Sequence, residues 1–189
     1  MKKGCFRLAV PARICREEAI RFLTEHEDWI QSTGNARLLR WEPRFTAGER
    51  HFCLGREVTL GNSDVPAGEA FVLWREHQFI ACVQSLRETW EPRLAVHVPS
   101  IRIRRMYSRW GSCNTATHEI HLAARLAAYP AECIEYVLIH ELCHYRVPEH
   151  SKAFYAAMDV LLPDWKQRKR LLNCLDVRPK PPEALSSQS

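Results

Sequence analysis

Apolar residues recur along the chain with two periods, and the switches between them outline its elements. Cys5 to Pro11 reads as a short opening strand. From Arg16 to Thr33, Ile20, Leu23, Glu27 and Ile30 fall at helical spacing beside Trp29, and Gly34 closes the run, which predicts an amphipathic helix. Turn residues follow at Pro43 and Gly48. HFCLGREVTL then sets Phe52, Leu54, Val58 and Leu60 about Gly55, the pattern of a hairpin. Gly61 to Gly68 reads as a loop and Ala70 to Trp74 as a further strand. Between Glu76 and about Leu94, Phe79, Cys82, Val83, Leu86 and Trp90 mark a second amphipathic helix that Pro92 breaks. IRIRRM, residues 101–106, alternates Ile101 and Ile103 with Arg102 and Arg104 as a half-buried strand does. A turn through SRWGSCNTAT and a strand near Thr117 to Leu122 complete a second hairpin. After Pro130, residues 131–147 carry Ile134, Val137, Leu138 and Leu142 on a buried helical face, with Pro148 as the stop. Two more helices are expected, from about Ser151 to Leu161 and from Pro163 to Leu175. Strands early and helices late predict an α+β domain with a small, mostly antiparallel sheet and packed C-terminal helices.

Composition narrows the class. With 189 residues, 46% hydrophobic and 26% charged, the chain can bury one core and is neither a disordered nor a collagen-like polymer. Arg178 onward, RPKPPEALSSQS, lacks apolar periodicity, so residues 178–189 are expected to be a disordered tail. The net charge of +5 is a mild bias that leaves nucleic-acid binding open. Eight cysteines stand at irregular spacings with no Cys-x-x-Cys pair, which argues against a zinc ribbon or a thioredoxin-like site and fits reduced thiols. No secretory signal is readable, and no uncharged apolar stretch reaches the roughly 18 to 20 residues of a membrane helix. A cytoplasmic protein without a membrane partner is expected.

The chemistry concentrates in YVLIHELCHYRVPEHS, residues 136–151. His140 and His144 are four apart, so a helix presents both imidazoles on one face, where they can reach one metal ion. Glu141 lies one position round, close enough to serve a metal-activated water without being a ligand, as in the His-Glu-x-x-His zinc hydrolases. A catalytic zinc usually takes three protein ligands. Once Pro148 turns the chain back, His150 is the favoured third ligand, with Glu149 as the nearby alternative. A metal would also explain such polar groups beside Leu138 and Leu142, since it replaces the water they lose.

RWGSC at Arg109 to Cys113, EIHLAARL at Glu119 to Leu126, YVLIHELCH at Tyr136 to His144 and HSKAF at His150 to Phe154 together resemble the YgjP-like metallopeptidase-domain family, related to the SprT-like and WLM families. Pro11, Phe22, Trp29, Ile30 and LGREVTL look like the N-terminal half of that family. The resemblance implies one domain over residues 1–177, in which residues 1–98 form the N-terminal strand and helix region and residues 99–177 the metal-binding region. It also implies a zincin-like active-site helix, Zn2+ held by His140, His144 and His150, Glu141 as general base, and RWGSC close to the site. The chain departs where the family tends to have Gly (His118), Asn (Ala123) and Trp (Tyr155).

The expected activity is zinc-dependent hydrolysis of a peptide or protein, with Arg109 or Tyr155 as candidate donor to the oxyanion. Arg109 can equally be a surface ion pair and Tyr155 a core residue. Cys113 and Cys143 read as small hydrophobes before nucleophiles, and His118 and His121 as exposed or hydrogen-bonded before ligands. Two alternatives stay open. Arg102, Arg104, Arg105, Arg109, Lys166, Arg168, Lys169 and Arg170 could hold phosphates in a nucleoside triphosphate (UTP-type) pyrophosphatase, although no Gly-rich loop is present. The same bases could serve a DNA-associated module like the SprT-like proteins. Oligomeric state is not legible.

Overall fold

The structure, a computed structural model, describes residues 44–62 and 64–179, which all belong to one compact unit. The expected strand at Cys5 to Pro11, the helix at Arg16 to Thr33 and the tail beyond residue 179 lie outside the described residues. Within them the α+β class holds: four helices and two small sheets surround one core.

The first sheet is the expected hairpin, β1 (Arg50–Cys53) antiparallel to β2 (Arg56–Thr59). Its tip is Leu54 and Gly55, at φ 48° and 81°. Gly55 has a packing reason as well: a Cβ there would stand 2.7 Å from Pro130 Cγ. With no Cβ, the tip reaches the backbone of the following half, and the Leu54 and Gly55 amides donate to Ala127 and Ala128 at 2.9 and 3.1 Å.

Helix α1 runs Glu69–Leu94, so the expected strand at Ala70 to Trp74 is the first turn of this helix. Phe71, Phe79, Val83 and Trp90 form its buried stripe, while Val72 and Leu73 face solvent. Five apolar residues in a row, Ala70 to Trp74, carry no period, and the stripe that begins at Phe71 decides the outcome. Pro92 sits in the last turn without breaking it. The helix ends two residues later where Ala95 takes a left-handed conformation, φ 49°.

The second sheet has order β3–β5–β4, with β3 at Ile101–Arg104, β4 at Gly111–Cys113 and β5 at Ile120–Ala123. The hairpin expected between IRIRRM and Thr117 to Leu122 is not formed. β3 and β5 pair in parallel, Ile101 opposite Ile120, and the antiparallel partner of β5 is β4, which lies inside the stretch read as a turn. The intervening chain provides the crossover that parallel pairing requires. Ile120, Leu122 and Ala123 are fully buried under the helices.

Helix α2 (Ala131–Cys143) is the central element, buried along most of its circumference by Ile134, Val137, Leu138, Ile139 and Leu142. It ends at Cys143 and not at Pro148. His144 is the C-cap, and the chain turns immediately, with the amides of Arg146 and Val147 donating to the Cys143 carbonyl at 3.1 and 3.0 Å. Helices α3 (Lys152–Leu161) and α4 (Trp165–Cys174) pack on α2. Ser151 caps α3 by accepting from the Phe154 amide at 3.4 Å. Phe154 and Met158, both fully buried, close the core from that side. Among the described residues no helix is long and apolar enough to cross a membrane.

Candidate metal centre

The last turn of α2 and the turn after it bring three imidazoles together. One ligand atom each from His140, His144 and His150 lies within 4.8 Å of the other two. Nε2 of His140 and Nε2 of His150 face each other at 2.9 Å. Nδ1 of His144 stands 3.2 Å from the Val147 carbonyl, which can only accept, so Nδ1 carries the proton and Nε2 keeps its lone pair. The early end of α2 matters here, because the turn it starts supplies that carbonyl and swings His150 back. Phe154 lies under all three rings, with centroids 4.9, 4.7 and 4.8 Å from His140, His144 and His150. A flat apolar base thus fixes three polar rings on one side only. Glu149 and His118 are exposed and His121 is half-buried, and all three lie outside the group.

The cluster opens into a cleft of about 460 Å³ whose opposite wall is β4 and the residues before it. Glu141 is 5% exposed and lies against that wall. A Cβ on Gly111 would stand 2.5 Å from Glu141 Oε1, 2.8 Å from Cγ and 2.9 Å from Cδ, so glycine in RWGSC is what lets the carboxylate in. Burial pushes the Glu141 carboxyl up to about 8, opposed by the charge of Arg109 and by the Cys113 backbone N–H. Burial, then the neighbouring charges of His144, His150 and Lys169, holds His140 down to about 3, and burial lowers His150 as well. These rings therefore stay neutral, the state in which imidazole can ligate a metal. Three imidazole nitrogen donors suit a divalent ion of the zinc type.

The YgjP-like metallopeptidase-domain family matches the chain over residues 67–174. The chain belongs to this family. The matched segment includes the whole cluster and both walls of the cleft. The YgjP-like domain is thus a metal-dependent hydrolase of the peptidase type. Among solved structures it is similar to the metallopeptidase zymogen abylysin of Pyrococcus abyssi, at 23% identity and a TM-score of 0.43, over 49% of this chain and 94% of that one. It is also similar to the metallopeptidase zymogen jannalysin of Methanocaldococcus jannaschii, at 16% identity and a TM-score of 0.43, over 49% of this chain and 90% of that one. No curated protein matches the chain.

The remaining candidates of the YgjP-like domain separate by position. Arg109 lines the cleft. Tyr155 is neither core nor cleft wall; it is 39% exposed and stacks between His150 and Trp165 at 6.4 and 5.6 Å. Cys143 is buried, its thiol donating to Met158 Sδ at 3.4 Å. Burial and the Glu141 charge push the Cys113 thiol up to about 11, and burial raises Cys143 likewise, which disfavours the thiolate at both. His118 has φ 57°, a left-handed conformation that glycine adopts more readily than histidine. It is held by Tyr145, whose ring stacks on the imidazole at 4.4 Å and whose hydroxyl donates to the His118 carbonyl.

Sequence reasoning missed three residues of the site. Tyr136 and Gly111 line the cleft, and Phe154 supports the rings. Tyr136 is signalled by its place four residues before His140, and Phe154 by its place four after His150. Gly111 has no local signal, because its reason is a carboxylate thirty positions away.

Proposed function

We propose that this chain is a zinc-dependent peptidase in which His140, His144 and His150 hold the metal and Glu141 is the general base. The observation that carries the reading is the convergence of three imidazole nitrogens within 4.8 Å at the floor of a cleft that also holds a buried carboxylate. A bound zinc would polarise the scissile carbonyl and acidify a water beside it. Glu141 takes the proton of the attacking water and passes it to the departing amine. A carboxyl raised toward neutrality suits both halves of that task, because it can hold the proton between the two steps. Arg109 keeps a positive charge against Glu141 and so favours its ionised, proton-accepting form.

Peptide is favoured over nucleotide by the walls of the cleft. Among the described residues β4 pairs with β5 alone, so the part of its other edge that the Cys113 N–H does not spend on Glu141 can hydrogen-bond an extended backbone along the cleft. Of the eight basic residues that could hold phosphates, Arg109 alone lines the cleft, and three are engaged elsewhere: Arg102 pairs with Glu119 at 3.0 Å, Lys166 with Asp159 at 3.4 Å, and Arg168 with Glu135 and Asp164. The test compares zinc-loaded wild type with Glu141→Gln on casein and on nucleoside triphosphates. Casein cleavage that falls at least 100-fold in the variant is expected for a general base. Cleavage of triphosphates alone would replace the peptidase reading.

A further inference from the structure

The helical stripe that carries His140 and His144 begins one turn earlier, at Tyr136. Residues four apart on a helix share a flank, so the phenol lies on the side of α2 that faces the cleft, and it lines that cleft. Its freedom is small. The residue is 7% exposed, its ring meets His140 edge-on at 6.0 Å, and it lies parallel to Trp165 at 6.4 Å and 9°. Trp165 is itself stacked on Tyr155, so a row of parallel rings from α3 and α4 sets the orientation of Tyr136. Yet its hydroxyl makes no hydrogen bond with any described residue. A tyrosine buried this far normally finds a partner for its O–H. Here the ring is fixed by its neighbours and the polar tip is left for something that enters the cleft.

We propose that Tyr136 is a further catalytic residue, whose hydroxyl donates a hydrogen bond to the scissile carbonyl oxygen as that oxygen gains negative charge. The inference rests on the peptidase reading above and adds a donor to it. The water oxygen bonds to the carbonyl carbon, the C–N bond breaks, and Glu141 carries the water proton to the amine nitrogen. Tyr136 keeps its own proton throughout. A phenol is suited to this because it is a neutral donor at any working pH and needs no counter-charge in an apolar wall. The cationic donor on the cleft wall, Arg109, is placed against Glu141 and is exposed, so its charge is shared with the base and with water. Because the ring already packs, only the hydroxyl is left to function.

Tyr136→Phe removes the hydroxyl and keeps the ring. In the full-length, zinc-loaded protein the variant is expected to retain the wild-type melting temperature and metal content, since no protein hydrogen bond is lost. On casein-derived peptides kcat should fall about 100- to 1,000-fold with KM nearly unchanged, the size of effect seen when one oxyanion donor is removed. A phosphinic tripeptide, which presents a tetrahedral anion, should bind the variant weaker by a similar factor, while cleaved product peptides bind both proteins equally. Unchanged kcat in Tyr136→Phe would overturn the proposal, and so would loss of metal or a lower melting temperature, which makes the hydroxyl structural. If wild type and Glu141→Gln are equally inert, the peptidase reading fails first. The phosphinic probe then decides on Tyr136 alone, and equal binding by wild type and Tyr136→Phe rejects it.

Discussion

Gly111→Ala tests the contact between the RWGSC segment and the Glu141 carboxylate, the proposed general base. The added methyl group would sit 2.5 Å from Oε1 of Glu141, and the three nearest atoms all belong to that side chain. Ordinary contact begins near 3.4 Å, so either the carboxylate or β4 must retreat by roughly 0.9 Å. β4 is tied to β5 through Gly111 opposite Leu122, which is fully buried, so the carboxylate gives way more easily than the strand. Overpacking of this kind costs about 1 to 3 kcal/mol, or a few degrees of melting temperature in a chain of this size. Displacing a catalytic group by about 1 Å costs on the order of 100-fold in rate. The expected phenotype is therefore specific: a folded protein, zinc content near wild type, and casein hydrolysis down roughly 100-fold. Thermal melts, elemental analysis and a peptidase assay on one preparation measure all three. Activity within twofold of wild type would refute the reasoning, because it would mean that Glu141 does not act from the position seen against Gly111.

Other consequences can be checked in the same preparations. In the metal-free protein, the Glu141 carboxyl is raised to about 8, so the native state binds more protons than the unfolded chain between pH 4.5 and 8. The stability it contributes is present in acid and lost as pH rises; relative to Glu141→Gln, wild type should weaken by on the order of 3 kcal/mol between pH 5 and 8. Parallel urea titration curves for the two proteins at both pH values would contradict the burial of the charge. Phe154→Ala, at a fully buried site beneath all three imidazoles, should cost about 3 to 5 kcal/mol and weaken zinc binding; calorimetric titration with zinc would reveal unchanged affinity if the ring is merely core. Tyr145→Phe removes the donor to the His118 carbonyl, and a loss of about 1 kcal/mol is expected; denaturant melts check it, and no change would mean that stacking alone holds the left-handed His118.

The chemistry of the site is more legible in the sequence than the wiring of the sheet, for a physical reason. His140, Glu141 and His144 obey one helical period, so local geometry alone puts them together. His150 is reachable because Pro148 makes a turn between His144 and His150 evident, even though the helix stops earlier, at Cys143. Alternation in IRIRRM correctly marks a strand, but alternation says nothing about the partner, and the parallel pairing to β5 is decided by long-range packing. β4 is three residues of Gly, Ser and Cys, too short to show any period. Ala70 to Trp74 misleads because a short apolar run fits strand and helix equally until the stripe from Phe71 to Trp90 is seen whole. Tyr136 lies hidden in the apolar run before the motif, where an aromatic residue looks like core; it is buried and yet lines the cleft.

The central claim is that the three histidines hold one metal ion. Metal content of the purified full-length chain, wild type beside His144→Ala, measured by elemental mass spectrometry after reloading with zinc and desalting, tests it most directly. The account predicts about one zinc per wild-type chain and its loss from the variant. Wild type without stoichiometric metal, or a variant that retains it, would contradict the account.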